Sequence, residues 1–132
     1  FDRLIVAVAV NSEKKGIFSP EERVALLKEL VDDRNIEFDT FKGKLLVEYA
    51  RSRKAGVILR GLRTFQDYEY EFQMTLANRH LAPEIETVFL MADSDYAHLS
   101  SSLIKEIVSL GGSTQGMVPK RVEERLREKL KR

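Results

Sequence analysis

Apolar positions along the chain fall into two kinds of pattern. Short apolar runs are typical of strands buried in a sheet, and between them apolar residues recur every three or four positions, as in helices that pack on a sheet. The segment from Ile36 to Thr40 instead alternates apolar and charged positions, which also favours a strand. The predicted strands cover residues 4–10, 36–40, 56–59 and 85–91.

The helices between these strands carry recognisable start and stop signals. Ser19-Pro20-Glu21-Glu22 predicts a helix start with Ser19 as N-cap and Glu22 completing a capping box. The longest helix is predicted from Phe65 to about His80, and Gly111-Gly112 predicts a helix end. Further helices are predicted over residues 45–53, from about residue 100 to the two glycines, and from residue 120 to the end of the chain.

The resulting order is β-α-β-α-β-α-β-α-α. Strict alternation of buried strands with helices indicates an α/β protein with a doubly wound parallel sheet and right-handed crossovers. A chain of 132 residues is long enough for one domain with its own core, so we expect a single domain over residues 1–132.

The amino-acid composition argues against several classes of function. The net charge is +1, from 22 Lys and Arg against 21 Asp and Glu, which predicts no general affinity for nucleic acid or an anionic membrane. No cysteine is present, which excludes disulfides and thiolate chemistry in these residues. No apolar run approaches the length of a membrane span, so we expect a cytoplasmic protein.

Four polar clusters follow the four strands, and the third is the most informative. Arg60-Gly61-Leu62-Arg63 ends an apolar run, so we expect the strand to end at Arg60, Gly61 to allow a turn, and the two arginines to form a fork suited to phosphate. A surface turn with two solvated arginines is the alternative interpretation. The other clusters are residues 11–16, residues 41–46, and the serines 100–102 that open a helix.

Taken together, the clusters predict a site for an anionic, phosphorylated ligand, since loops that follow parallel strands meet at one edge of a sheet. Neither G-x-x-x-x-G-K-[ST] nor G-x-G-x-x-G is present, which argues against an ordinary kinase or dehydrogenase. His80 and His98 are isolated and make a poor metal site. A role for His98 as general base is possible, but the less favoured interpretation.

These residues resemble the bacterial phosphopantetheine adenylyltransferases, members of the nucleotidyltransferase superfamily with a Rossmann-like fold. The similarity runs through the whole chain in order. The matching segments are Asn11–Arg23, Ile58–Arg63, Asp67–Glu71, Asn78-Arg79 and Leu99–Glu106. The resemblance implies adenylyl transfer from ATP to 4′-phosphopantetheine, which gives dephospho-coenzyme A and pyrophosphate in coenzyme A biosynthesis. It also implies Mg²⁺ with ATP, and a homohexamer.

Position by position, the resemblance implies a role for individual residues. Lys14 and Arg60 would hold the phosphate of the pantetheine substrate and act in catalysis, and Leu46 would lie along the pantetheine arm. The remaining matches would contact ATP: Gly61, Leu62, Arg63, Glu71, Tyr96, Ala97, His98, Leu99, Ser100, Ser101 and Ser102.

The chain departs from the family pattern at its start. The family opens with a strand, a loop of the type G-[TS]-F-D-P-x-T-x-G-H that carries a transition-state histidine, and a helix, and Phe1-Asp2 aligns just after this segment. We therefore expect a chain that begins at Phe1 to be poorly soluble and inactive. Two alternatives stay open: a non-catalytic module that binds adenine nucleotide or coenzyme A, and a nucleotidyltransferase with another phosphorylated acceptor.

Overall fold

The computed structural model describes residues 1–10 and 16–130. Strands and helices alternate, and all strand pairs are parallel, which confirms the predicted α/β class. Within the described residues the strands are β1 (Leu4–Ala9), β2 (Ile36–Phe41), β3 (Val57–Leu62) and β4 (Glu86–Met91). The helices are α1 (Pro20–Leu30), α2 (Leu46–Ser52), α3 (Phe65–Leu81), α4 (Ser94–Ala97), α5 (Ser101–Ser109) and α6 (Lys120–Leu130).

Two compact units make up the chain. The first unit comprises Phe1–Gly43 and Ser100–Arg132, and the second comprises Lys44–Leu99. In the described residues the strands are hydrogen-bonded in two pairs, β1 with β2 and β3 with β4, rather than in one continuous ladder. The meeting of all four polar clusters at one sheet edge therefore stays a prediction.

The first unit is built on the parallel pair β1–β2. Leu4 lies opposite Ile36 and Ala9 opposite Phe41, so the two strands are in register over their full length. Helix α1 packs against this pair. The prediction that β1 is buried on both faces is wrong, since Leu4 and Ala9 are exposed and the residues between them are only half-buried. Among the described strands β1 pairs with β2 alone, so its other edge has no neighbouring strand to cover it.

The start of α1 follows the predicted signal. Ser19 Oγ accepts a hydrogen bond from Glu22 N, and the Glu22 carboxylate accepts one from Ser19 N. These two bonds satisfy donors that the first turn of a helix otherwise leaves free. Ion pairs then join α1 to α6: Arg121 contacts Glu29 at 2.8 Å, and Lys129 contacts Glu22.

The second unit has a small apolar core formed by α2, β3 and the segment before β4. Its buried members are Val47, Ala50, Ile58, Ala82 and Ile85. Helix α3 lies over the same face of the sheet, where the Tyr68 ring contacts the Phe89 ring edge-on at 6.0 Å between centroids. No residue of α3 is fully buried, so its apolar and aromatic side chains are only partly covered.

Two element boundaries differ from the sequence prediction. Strand β3 does not end at Arg60, because Arg60 and Gly61 lie within the strand and pair with Phe89 and Leu90 of β4. The prediction that Gly61 provides a turn is therefore wrong, and its φ is not in the left-handed region. The short helix α4 was not predicted. Its signal is Asp93, whose side chain accepts a hydrogen bond from Asp95 N as an N-cap.

Candidate active site

The predicted arginines lie at the carboxyl end of β3, next to the first two turns of α3. Arg60 pairs with Glu71 through two hydrogen bonds, from Nε to Oε2 at 2.7 Å and from Nη2 to Oε1. The Glu71 side chain is 14% exposed and that of Arg60 42%, so this bidentate pair joins a largely buried carboxylate to a partly exposed guanidinium. The hydrogen-bonded carboxylate of Glu71 raises the pKa of Arg60, against the opposite effect of partial burial.

This pairing leaves part of the Arg60 guanidinium available. A guanidinium carries five N–H groups. Glu71 accepts from one on Nε and one on Nη2, and within the described residues the two on Nη1 have no acceptor. Arg60 therefore has a fixed plane and retains donors that could bind an anion.

Arg63 is held from two directions. Its Nε donates to Asp67 Oδ2 at 3.2 Å, and its Nη1 donates to the backbone carbonyl of Leu99 at 2.5 Å. Asp67 Oδ2 also accepts from the backbone N–H of Arg63 at 3.2 Å. Within the second unit the structure thus joins the predicted segments 61–63 and 96–99 directly.

The two carboxylates that hold these arginines come from one face of α3. Asp67 and Glu71 are four residues apart, and this spacing places their side chains one above the other along a helix. Partial burial would raise the pKa of Asp67, but its hydrogen bonds with the Arg63 backbone and side chain, together with the charge of Arg63, lower it overall. Asp67 is therefore a carboxylate at neutral pH.

Sequence reasoning did not assign Asp67 a role, and it assigned Glu71 to ATP. In the structure both oxygens of Glu71 accept from Arg60, so Glu71 holds an arginine, and its contact with ATP stays a prediction. The signal that could have revealed both pairs was the spacing of four residues between Asp67 and Glu71, directly after an arginine-rich strand end.

The other predicted ATP contacts in the second unit lie in or near α4. Tyr96 and His98 are exposed, whereas Ala97 and Leu99 are half-buried. His98 is the C-cap of α4. The backbone N–H of Leu99 donates to the carbonyl of Tyr96, which completes a turn and directs the Leu99 carbonyl to Arg63. Leu62 is buried at the end of β3 and contributes to packing.

The predicted serines lie in the first unit, at the start of α5. Ser100 is the N-cap, and its Oγ accepts a hydrogen bond from Leu103 N at 3.1 Å. Ser101 and Ser102 occupy the first turn and are exposed. The helix start was predicted correctly, and its role toward phosphate stays a prediction.

Besides Arg60, two other residues were expected to bind 4′-phosphopantetheine. Leu46 is the first residue of α2, half-buried against the small apolar core. Lys14 lies outside the described residues, as does the rest of its cluster up to Lys15. Their roles stay predictions.

Within residues 1–10 and 16–130, no three His, Cys, Asp or Glu side chains converge as they would around a metal ion. A groove of about 440 Å³, bordered by β1, α1 and Val122 of α6, is lined mainly by apolar side chains and contains none of the predicted site residues. No helix among the described residues combines the length and the apolar character that crossing a bilayer requires.

Residues 1–107 match the model of the cytidylyltransferase-like family. The matched segment contains both arginines, both carboxylates of α3 and the serines of α5. It ends within α5, before α6.

Three curated proteins with similar sequences carry the same name. The chain is 53% identical to a protein of Caldanaerobacter subterraneus subsp. tengcongensis and 50% identical to one of Geotalea daltonii, each over 133 aligned positions that include 100% of this chain and 82% of the relative. It is 49% identical to a protein of Desulfatibacillum aliphaticivorans, over 99% of this chain and 75% of the relative. All three are named phosphopantetheine adenylyltransferase.

Proposed function

Because the chain belongs to the phosphopantetheine adenylyltransferases of the cytidylyltransferase-like family, we propose that it transfers an adenylyl group from ATP to 4′-phosphopantetheine. A phosphate oxygen of the acceptor attacks the α-phosphorus of ATP. The bond from that phosphorus to the bridging oxygen breaks, and pyrophosphate leaves. The other product is dephospho-coenzyme A, an intermediate of coenzyme A biosynthesis.

The observation that carries this proposal is the pair of fixed arginines at the end of β3. Each guanidinium is held by a carboxylate of α3, and each keeps N–H groups for a ligand. Phosphoryl and nucleotidyl transfer depend mainly on positioning and on stabilising negative charge, which oriented arginines provide. We assign Arg60 to the acceptor phosphate and Arg63 to ATP, and Lys14 to the acceptor phosphate as a point charge.

Backbone and hydroxyl groups complete the proposed ATP site. A nucleotide could approach the backbone closely at Gly61, because this residue carries no side chain and a Cβ there would meet no atom within 4 Å. Residues 96–99 and the serines 100–102 would contact the nucleotide through hydroxyl and N–H groups. Leu46 would provide apolar contact for the pantetheine arm.

Magnesium fits this site only as a companion of ATP. The acidic side chains nearest to the arginines, Asp67 and Glu71, are already paired, and the described residues contain no cluster that would hold a metal ion. Mg²⁺ in such sites is typically bound by substrate phosphates and water. We propose that it enters with ATP, where it would neutralise phosphate charge.

Self-association is a further part of the proposal. Helix α3 exposes large apolar side chains, with Phe65 81% exposed and Tyr70 and Leu76 more than half exposed. Exposed apolar patches commonly mark interaction surfaces. This supports the homohexamer that the family resemblance implies, and sedimentation of the full-length protein at micromolar concentration tests it. ATP-dependent biosynthesis also accords with a cytoplasmic location.

The direct test is product formation by the full-length protein. We expect pyrophosphate release and a mass matching dephospho-coenzyme A when ATP, Mg²⁺ and 4′-phosphopantetheine are combined, and neither with unphosphorylated pantetheine. Tight ATP binding without product would indicate a binding module instead. Product formed only with another phosphorylated acceptor would assign a different substrate.

A further inference from the structure

The side chain of Asp67 makes hydrogen bonds that do not cap its own helix. It is the third residue of α3, and its own backbone N–H is already capped by Thr64 Oγ1 at 3.1 Å. The carboxylate instead reaches back past the N-cap, to the backbone N–H and the Nε of Arg63. Both of these contacts are made by the same atom, Oδ2.

This ion pair contributes little to stability. The side chains of Arg63 and Asp67 are 43% and 30% exposed, and ion pairs at such positions contribute little because solvent screens them. The pair instead restricts the conformations that the Arg63 side chain can adopt. A long side chain with several rotamers must otherwise be ordered each time a ligand binds.

The Leu99 carbonyl provides the second anchor. Asp67 accepts from Nε and Leu99 from Nη1, so two different nitrogens of the guanidinium are held and its plane is set. Within the described residues the hydrogens of Nη2 have no acceptor. The free part of the guanidinium therefore has a defined direction before any ligand arrives.

From this geometry we infer that Asp67 is a positioning residue, which holds the Arg63 guanidinium in the orientation that binds a phosphate group of ATP. The inference rests on the proposed function, because it takes Arg63 as an ATP contact. Asp67 itself touches no substrate in this account. Its effect on ATP binding should therefore pass entirely through Arg63.

A double-mutant cycle on the full-length protein tests this inference. The measured quantity is ATP affinity by calorimetry in the presence of Mg²⁺, for Arg63→Ala, Asp67→Ala and the double variant. Arg63→Ala should weaken ATP binding about 10- to 100-fold, the loss of a charged hydrogen bond. Asp67→Ala should weaken it about 3- to 10-fold, because Arg63 must then be ordered on binding. The double variant should bind no more weakly than Arg63→Ala alone.

Two further variants separate positioning from helix stability. Asp67→Asn keeps an oxygen that can accept from Arg63, so it should recover part of the affinity that Asp67→Ala loses. Glu69→Ala removes an exposed acidic residue from the same helix and should leave ATP affinity unchanged. Thermal unfolding of each variant shows whether α3 remains folded.

The outcomes distinguish this inference from the proposed function. If Arg63→Ala weakens binding and Asp67→Ala does not, the inference fails and the ATP site stands. Equal losses from Asp67→Ala in the wild-type and Arg63→Ala backgrounds would show that Asp67 acts by another route, and this too would overturn the inference. Unchanged affinity in Arg63→Ala would overturn both.

Discussion

Two arginine–glutamate pairs in this molecule both use Nε and Nη2 of the guanidinium, but Arg60 bonds to both oxygens of its carboxylate and Arg127 to one, and their surroundings differ. In the first unit, Arg127 pairs with Glu123 on α6, and Glu123 is 17% exposed, close to the value for Glu71 in the second unit. Glu123 also accepts from the N–H and the hydroxyl of Thr114, and Arg127 also donates to the carbonyl of Gly112. The side chains of Arg60 and Glu71 bond only to each other within the described residues.

These different surroundings indicate different roles for the two pairs. The Arg127–Glu123 pair ties α6 to the loop that follows α5, and it satisfies Thr114, which is completely buried. Buried polar groups need such partners, so this network is structural. The Arg60–Glu71 pair joins β3 to α3 next to a second fixed arginine, and within the described residues neither side chain bonds to a further buried polar group. Its consequence is an oriented guanidinium with free donors.

The largest expected effect comes from breaking the second of these pairs. Arg60→Ala in the full-length protein should lower kcat/KM about 10²- to 10³-fold, the loss of one donor that stabilises transition-state charge. Tm should also fall, because the Glu71 carboxylate, whose side chain is 14% exposed, loses both of its Arg60 donors, so the activity is compared per folded molecule. Arg79→Ala, which removes a more exposed arginine from an ion pair of the same unit, is the matched control. A large fall in Tm with normal activity would reverse the comparison.

Breaking the other pair should lower stability and leave activity unchanged. Glu123→Ala leaves the buried Thr114 without an acceptor for its N–H and its hydroxyl, so Tm should fall by roughly 5 °C. Activity per folded molecule should be retained. Glu124→Ala removes an exposed glutamate from the same helix, and its Tm should match that of the wild type. Equal Tm values for the two variants would contradict a structural role for Glu123.

The structural pair should also be visible in the pH dependence of stability. Hydrogen bonds from Arg127 and Thr114 lower the pKa of Glu123 below its ordinary value of 4.5. A carboxyl group with a lowered pKa stabilises the folded state fully above that ordinary value, and this stabilisation is lost as the pH falls through the folded-state pKa. The Tm difference between wild type and Glu123→Gln should therefore be largest near about pH 6 and shrink below pH 4.5. A difference that does not change over this range would exclude the assigned cause.

A smaller effect is expected at Gly61, between the two arginines. A Cβ there would meet no atom within 4 Å, and the backbone is not in the left-handed region, so Gly61→Ala should leave Tm unchanged or slightly higher. ATP affinity should fall several-fold if the nucleotide lies against the backbone at this residue. Unchanged affinity would remove Gly61 from the proposed ATP site.

Local signals explain which parts of this fold the sequence predicted. Ser19 and Glu22 form the predicted capping box because both partners lie within one turn of each other. The extent of β3 was mispredicted because Arg60 and Gly61 interrupt the apolar run, while the strand is extended by its pairing with β4, a partner distant in sequence. Hydrogen bonds to another strand are not encoded in a local pattern.

The candidate site was also predicted only in part, because contacts between distant elements are not encoded in a local pattern. Polar clusters after strands pointed to Arg60 and Arg63, since their residue types alone suggest phosphate. The carboxylates that hold them were not assigned this role, because a helix in isolation does not reveal which of its faces lies over the end of a strand. Only the packing of α3 on β3 shows that Asp67 and Glu71 each meet an arginine.

The central claim is that the free donors of Arg60 bind the acceptor phosphate, and one comparison of affinities tests it most directly. Calorimetry on the full-length protein would measure binding of 4′-phosphopantetheine and of unphosphorylated pantetheine to wild type and to Arg60→Ala. The wild type should prefer the phosphorylated ligand by at least about 10-fold, the scale of a charged hydrogen bond. Most of this preference should disappear in Arg60→Ala. An undiminished preference in the variant would contradict the account, since another group would then bind the phosphate.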